Sequence, residues 1–221
     1  MNHIKERPIL FSAPMVRAIL EGRKTVTRRA VKPQYEDKVW TVRPASEPRH
    51  ARHSHDWWLP TGTQPYSALP RCPYGQPGDR LWVREAWQAD SQMNAVAPRE
   101  LSHGEPIMYP ADAVVRQTGC SMIMPGKTRP SIHMPRWVSR ILLEITAVRV
   151  ERLQDITPAQ ITAEGVSTRG QALWGGEWWV DAPGQAIEDA KKDFSALWDS
   201  VGGDWDANPW VWVVEFKRVA P

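Results

Sequence analysis

RPILFSAPMVRAILEGRKTVTRR, residues 7–29, holds a strand, a short helix and a second strand with almost no connecting chain. Ile9, Leu10 and Phe11 form an apolar run, then Ser12 or Ala13 can cap and Pro14 suits the first helical turn. Met15, Val16, Ile19 and Leu20 share one helical face, and Gly22 stands where a left-handed stop is expected. Thr25 to Arg29 alternates in a β-branched run and predicts a strand. Working outward, Gly78-Asp79 signals a turn before a strand over Arg80 to Trp87, RLWVREAW. Ser139 to Leu153, rich in Ile, Val and Thr, predicts a long strand. Thr157-Pro158 opens a helix that runs through Glu164 and closes at Gly165. Gln185 to Val201 carries Ile187, Phe194, Leu197 and Trp198 on one face. A last strand covers Trp210 to Val219, WVWVVEFKRV. Residues 32–78 and 88–135 look irregular, apart from a short strand at Ile107 to Tyr109, and 167–183 is a Gly/Trp-rich loop. With no internal repeat and no βαβ rhythm, the pattern predicts an α+β fold, or a small, mostly antiparallel β-barrel with few helices. No linker is visible, so the expectation is one domain over 1–221.

Of the 221 residues, 42% are hydrophobic and 24% charged, which excludes wholesale disorder. No apolar run reaches the roughly 20 residues of a membrane span, and MNHIKERPILF lacks a signal-peptide core. Two cysteines, Cys72 and Cys120, fit a reducing compartment, so the expected location is cytoplasmic. Tryptophan is unusually abundant, with 13 Trp against 4 Tyr and 3 Phe. Charge is unevenly spread beneath a net +3. Residues 1–55 hold 12 Lys/Arg against 5 Asp/Glu, a balance of +7, and residues 151–206 hold 4 against 11, a balance of −7. A basic first quarter suits an anionic or nucleotide ligand, and two solvated faces of opposite sign would give the same count.

Lys24 lies among Arg23, Arg28 and Arg29. Neighbouring cations and burial both disfavour an ammonium, which makes Lys24 a candidate base and Thr27 a candidate nucleophile. Residues three apart face opposite sides of a regular strand, so Lys24 must precede the strand or the strand must bend. An ordinary basic strand edge accounts for the same residues. Glu164, in the last turn of its helix, opposes the macrodipole, a poor place for a stabilising charge and a useful one for a proton donor. A solvated helix end explains it equally well. Arg84 and Glu85 sit in a strand with Trp82, where a guanidinium beside an aromatic ring can clamp a base or phosphate, or merely join ion pairs. His133 to Trp137, with Ser139 and Arg140, can line a cleft or cover one end of the fold. His50, His53, His55 and Asp56 include metal-ligand types, but their Arg- and Pro-rich setting disfavours a cation, and no metal or cofactor is expected. No GxxxxGK[ST], GxGxxG or GxSxG is present, which removes the usual support for nucleotide-triphosphate, dinucleotide and α/β-hydrolase readings.

GRKTVTRR, PGDRLWVRE, TPAQITAEG and a final VWVVEFKRV, in that order, resemble the ASCH domain family. RCPYGQPGDRLWVREAW, SIHMPRWVSRILLEIT and NPWVWVVEF are similar to its longer phage and prophage form. The resemblance implies a PUA-like β-barrel, with insertions at about 34–70, 90–130 and 167–183. It also implies an amidohydrolase that removes an acyl group from a nucleoside of the N(4)-acetylcytidine type. The family's catalytic Lys and Thr fall on Lys24 and Thr27, and its Glu on Glu164. Arg28, Arg84 and Glu85 are the expected substrate-orienting residues. The expected partner is a modified nucleoside or RNA, with no membrane and a monomeric chain. A non-catalytic RNA-binding module, or a ribonuclease, using the same basic cleft is the alternative.

Overall fold

The computed structural model describes residues 4–34, 40–50, 52–59, 62–117, 119–166 and 183–220. In chain order the elements are β1 (Glu6–Leu10), α1 (Ala13–Leu20), β2 (Val26–Ala30), β3 (Thr41–Pro44), β4 (His55–Trp58), β5 (Ser67–Ala68), β6 (Arg80–Arg84), β7 (Ile107–Tyr109), β8 (Val114–Arg116), β9 (Leu142–Arg152), α2 (Pro158–Ala163), α3 (Pro183–Ser200) and β10 (Trp210–Val219). Many strands with few helices make this an α+β protein. The described residues group into two compact units. One comprises Met1–Lys24, Gly78–Ile145 and Phe216–Pro221, and the other Thr25–Pro77 and Thr146–Glu215.

In the first unit β1 runs parallel to β6, with Glu6 opposite Arg80 and Leu10 opposite Arg84. The start of β9 pairs antiparallel with β6, Trp82 opposite Leu142 and Arg80 opposite Glu144. Helix α1 has the expected proline in its first turn and buries Val16, Ala18 and Ile19, while Ser12 makes no side-chain cap. Gly22 ends the turn at φ +76°, a backbone region that favours glycine. The strand expected over Arg80–Trp87 is shorter, because pairing with β1 stops at Arg84. The insertion at 90–130 is better ordered than its sequence suggests. It contains the antiparallel pair β7–β8. Trp87, Ala89, Leu101, Ile107, Tyr109, Met134 and Val138 form a core beneath it. Asp90 ties the loop down by accepting backbone N–H bonds from Gln92 (3.0 Å), Ile123 (2.7 Å) and Met124 (3.2 Å). Those donors favour the ionised carboxylate and hold Asp90 below the usual range.

In the second unit β2 pairs antiparallel with the first half of β10, Val26 opposite Glu215 and Ala30 opposite Val211. Helix α2 begins on a reciprocal capping box between Thr157 and Gln160, as the TPAQ spacing predicts. Val26, Leu153, Ile156, Ile161, Ala190, Phe194, Trp198, Val211 and Val213 form one core, so β2, β10 and both helices share it. The stretch expected to be irregular between 32 and 78 contains a three-stranded antiparallel sheet, β3–β4–β5. Strands of two to four residues broken by Pro and Gly carry too few alternations to register as a period. Trp57 is 1% exposed, and its ring meets Trp210 edge-on at 6.4 Å, fastening this sheet to β10. The expected insertion at 167–183, with Trp174, Trp178 and Trp179, lies outside the described residues except for Pro183, which opens α3. No helix among the described residues is long and apolar enough to cross a membrane.

Candidate functional site

Two stretches that look unrelated in sequence meet in the second unit. The N–H of Thr25 donates to the carbonyl of Ala163 at 2.8 Å, joining the start of β2 to the end of α2. Arg28, its side chain fully buried, then donates Nη1 to Glu164 Oε1 at 3.2 Å and Nη2 to Gln160 Oε1 at 2.9 Å. Nη2 also reaches Glu151 Oε2 at 3.3 Å, on β9. Gln160 Oε1 accepts from the Thr157 N–H as well, at 2.9 Å, so the helix cap and the Arg28 contact share one oxygen. Thr27, 3% exposed, lies on β2 opposite Val214. Glu164, 4% exposed, is the C-cap of α2, and Gly165 follows at φ +81°. A short helix closed by a left-handed glycine is what turns Glu164 inward toward β2 rather than out to water.

Charge continues outward from this pair. Glu151 is also bound by Arg149, which in turn bonds Glu215. Exposure climbs along the series, with side-chain values of 0% for Arg28, 24% for Glu151, 32% for Arg149 and 41% for Glu215. Two guanidinium groups thus alternate with three carboxylates from buried interior to surface. Desolvation acts downward on Arg149 and is the largest single influence, but its bonds to Glu151 and Glu215 together outweigh it and raise its pKa.

Of the remaining expected site residues, Lys24 closes the first unit. It is 2% exposed, its N–H donates to the Ala18 carbonyl at 3.0 Å, and its Nζ lies 5.6 Å from the centroid of the Phe11 ring. Arg84 lies with its guanidinium carbon 4.6 Å from the centroid of the Trp82 ring and donates to the Ile132 carbonyl at 3.3 Å. Alternation along β6 predicts that shared face. Glu85, 1% exposed, accepts on both oxygens from Arg140, at 2.9 and 3.0 Å. Direct contact with a substrate would have to displace those bonds. Arg140 also grips Asp112 at 2.8 and 3.0 Å and lies 4.0 Å from the Tyr109 ring centroid. Burial pushes Glu85 upward, Arg140 opposing it. At Asp112 burial is again the largest influence, yet the bonds from Arg140 together hold it below the usual range. Burial pushes Tyr109, whose hydroxyl donates to the Val138 carbonyl at 2.6 Å, up to about 12.

His53 and Asp56, both buried, are bonded at 2.6 Å through Nε2, while Nδ1 accepts the Arg49 N–H at 3.0 Å. The network assigns the Nε2–H tautomer and engages both ring nitrogens. Among the described residues, no group of three or more His, Cys, Asp or Glu is arranged to hold a metal ion.

The sequence patterns do not single out Gln160, Glu151, Arg149 or Asp112. Gln160 closes the T-x-x-Q cap as the third residue of α2, and Arg149 and Glu151 are two apart on a strand. Spacing places those residues on shared faces without naming their partners.

No family model matches the chain, and no curated protein matches it. Two solved structures are similar to it along its length. One is a DUF984-family protein from Enterococcus faecalis, with 8% identity, a TM-score of 0.39, and 100% of this chain and 84% of that one covered. The other is an ASCH domain from Lactobacillus crispatus, with 12% identity, a TM-score of 0.37, and coverage of 98% and 81%.

Proposed function

We propose that this protein hydrolyses the amide of an acylated cytidine-type nucleoside, with Thr27 as nucleophile, Lys24 as base and Glu164 beside the departing amine. The supporting observation is the meeting of GRKTVTRR and TPAQITAEG through Arg28 and Glu164, 136 residues apart in sequence. Polar side chains are costly to bury without purpose, and Lys24, Thr27, Arg28 and Glu164 are all buried. In this reading Thr27 Oγ bonds to the acyl carbon as its proton passes to the Lys24 amine. The C–N bond then breaks, and the nucleoside leaves with its amino group restored by that proton. Water cleaves the resulting threonine ester and releases the carboxylic acid. Arg28, spent on Glu164, Gln160 and Glu151, positions Glu164 rather than touching substrate. Arg84, stacked with Trp82, contributes to base binding, and Glu85 acts through Arg140.

The reading carries with it a long phage-type ASCH domain built as one PUA-like barrel, monomeric and cytoplasmic. Thr27→Val keeps the side-chain volume and removes the hydroxyl. Hydrolysis of free N(4)-acylated cytidine, followed by mass spectrometry of the products, is expected to fall by at least about 10²-fold. A variant as fast as the wild type removes Thr27 from the nucleophile's role.

A further inference from the structure

Gln160 touches both members of the Arg28–Glu164 pair. Its side-chain oxygen accepts from Arg28 Nη2 at 2.9 Å, and its main-chain carbonyl accepts the Glu164 N–H at 2.9 Å. The same side-chain oxygen takes the Thr157 N–H at 2.9 Å. Both of these neighbours are donors, which assigns the atom as the amide oxygen Oε1. Among the described residues Arg28 donates to Glu164 at 3.2 Å, to Glu151 at 3.3 Å and to Gln160, and the neutral acceptor is the nearest. A guanidinium is a rigid planar fork, so an anchor on Nη2 also fixes where Nη1 points. Here Nη2 rests on Gln160 and Nη1 reaches Glu164.

A capping box takes either Glu or Gln at this position, since both supply an oxygen to the N-cap N–H. The cap alone therefore does not call for an amide. The contact with Arg28 does. That side chain is fully buried, with one positive charge shared between Glu151 and Glu164. A carboxylate at 160 would be a third anion on the same guanidinium, and a charge-assisted bond is about twice as strong as the neutral one it replaces. Nη2 would close on the new carboxylate, and the rigid fork would turn Nη1 away from Glu164.

We propose that Gln160 is a positioning residue of the hydrolytic site, its neutral amide oxygen aiming Arg28 at Glu164 without competing for the charge of Arg28. The part played in turnover rests on the hydrolase reading. The hold on Arg28 rests on the contacts alone.

The test uses the full chain and three variants. Gln160→Glu keeps the capping box and adds the carboxylate. Gln160→Met keeps the length of the side chain and removes the oxygen. Thr157→Ala removes the hydroxyl that accepts the Gln160 N–H and leaves Gln160 on Arg28. Thermal unfolding checks that each variant folds. Heteronuclear NMR of the guanidinium N–H groups, assigned through the Arg28 side chain, reads the contact without reference to activity. Those signals are expected to move in both Gln160 variants and to stay in place in Thr157→Ala. Hydrolysis of free N(4)-acylated cytidine is expected to lose at least about tenfold in kcat in both Gln160 variants, with KM within about twofold. Thr157→Ala is expected to keep kcat within about twofold of wild type while its thermal midpoint falls by about 2–4 °C. A wild-type kcat in Gln160→Glu overturns the positioning role and leaves Gln160 a cap. So does a Thr157→Ala variant that loses kcat as fully as Gln160→Met, because the loss then follows the helix cap. Arg28 signals unmoved in both Gln160 variants overturn the hold itself. A wild-type protein that hydrolyses nothing, with the Arg28 signals moving as expected, overturns the hydrolase reading and keeps the hold of Gln160 on Arg28.

Discussion

A single arginine does more for the first unit than its position suggests. Arg140 bonds both oxygens of buried Glu85 and both oxygens of Asp112, and lies over Tyr109. Breaking a buried ion pair from one side strands the other charge, which costs about 3–5 kcal/mol. Arg140→Met is therefore expected to lose about 3 kcal/mol or more in urea unfolding. Replacing Glu85 with Met in the same chain should recover a large part of that. A single variant within about 0.5 kcal/mol of wild type contradicts the pairing. His55 acts in the opposite sense. Burial lowers its pKa below 6.5, with Asp56 opposing. Above that value both folded and unfolded chains hold it neutral. As pH falls through it, the unfolded chain takes the proton first, so stability declines until the lowered folded value is passed. His55→Gln should flatten the thermal midpoint between pH 7.5 and 5.5, and a variant whose midpoint falls as steeply as wild type removes His55 as the cause.

Elements differ in how openly their sequence declares them. Helix α2 follows directly from Thr157, Pro158, Gln160 and Gly165, because caps and stops are local chemistry. Strands β3, β4, β5 and β8 are too short to show a period, so only their pairing reveals them. Strand β9 shows its length in sequence but not its use. Its Arg149 and Glu151 form the outer part of the charge series that ends on Arg28 and Glu164. Within the hydrolase reading, Glu151→Gln leaves Arg28 held by Glu164 and Gln160 alone, and Glu164 shifts with it. We expect kcat to fall about tenfold with KM changed less than about twofold, the signature of a lost transition-state interaction. Glu151 is partly exposed, so the thermal midpoint should barely move. An unchanged kcat removes Glu151 from the site.

For the whole molecule, the net +3 is an average over oppositely charged segments. The chain interleaves them, so a linear charge count does not locate a binding face. Within the hydrolase reading the substrate is an uncharged nucleoside, so salt should matter little. Hydrolysis of free acylated cytidine should change less than about twofold between 50 and 200 mM salt, because a nucleoside releases no counterions. A nucleoside rate that falls about tenfold or more over that range contradicts a nucleoside-sized substrate. The tryptophans do not divide by segment, since the insertion at 34–70 holds both buried Trp57 and half-buried Trp40 and Trp58. Outside it, Trp82, Trp87, Trp198 and Trp212 are buried as well.

By itself the sequence determined the long strands β9 and β10, the three helices with the cap of α2 and the glycine stops of α1 and α2, and the candidates Lys24, Thr27 and Glu164. Each of those rests on spacing within a few residues, where backbone geometry and side-chain periodicity act alone. Only the tertiary structure decided that Arg28 meets Glu164, that Glu85 belongs to Arg140, and that the proline-rich stretch after residue 40 holds a three-stranded antiparallel sheet. Those outcomes depend on which distant strands and helices come together, and a charge or an indole names its partner only once it is buried beside it.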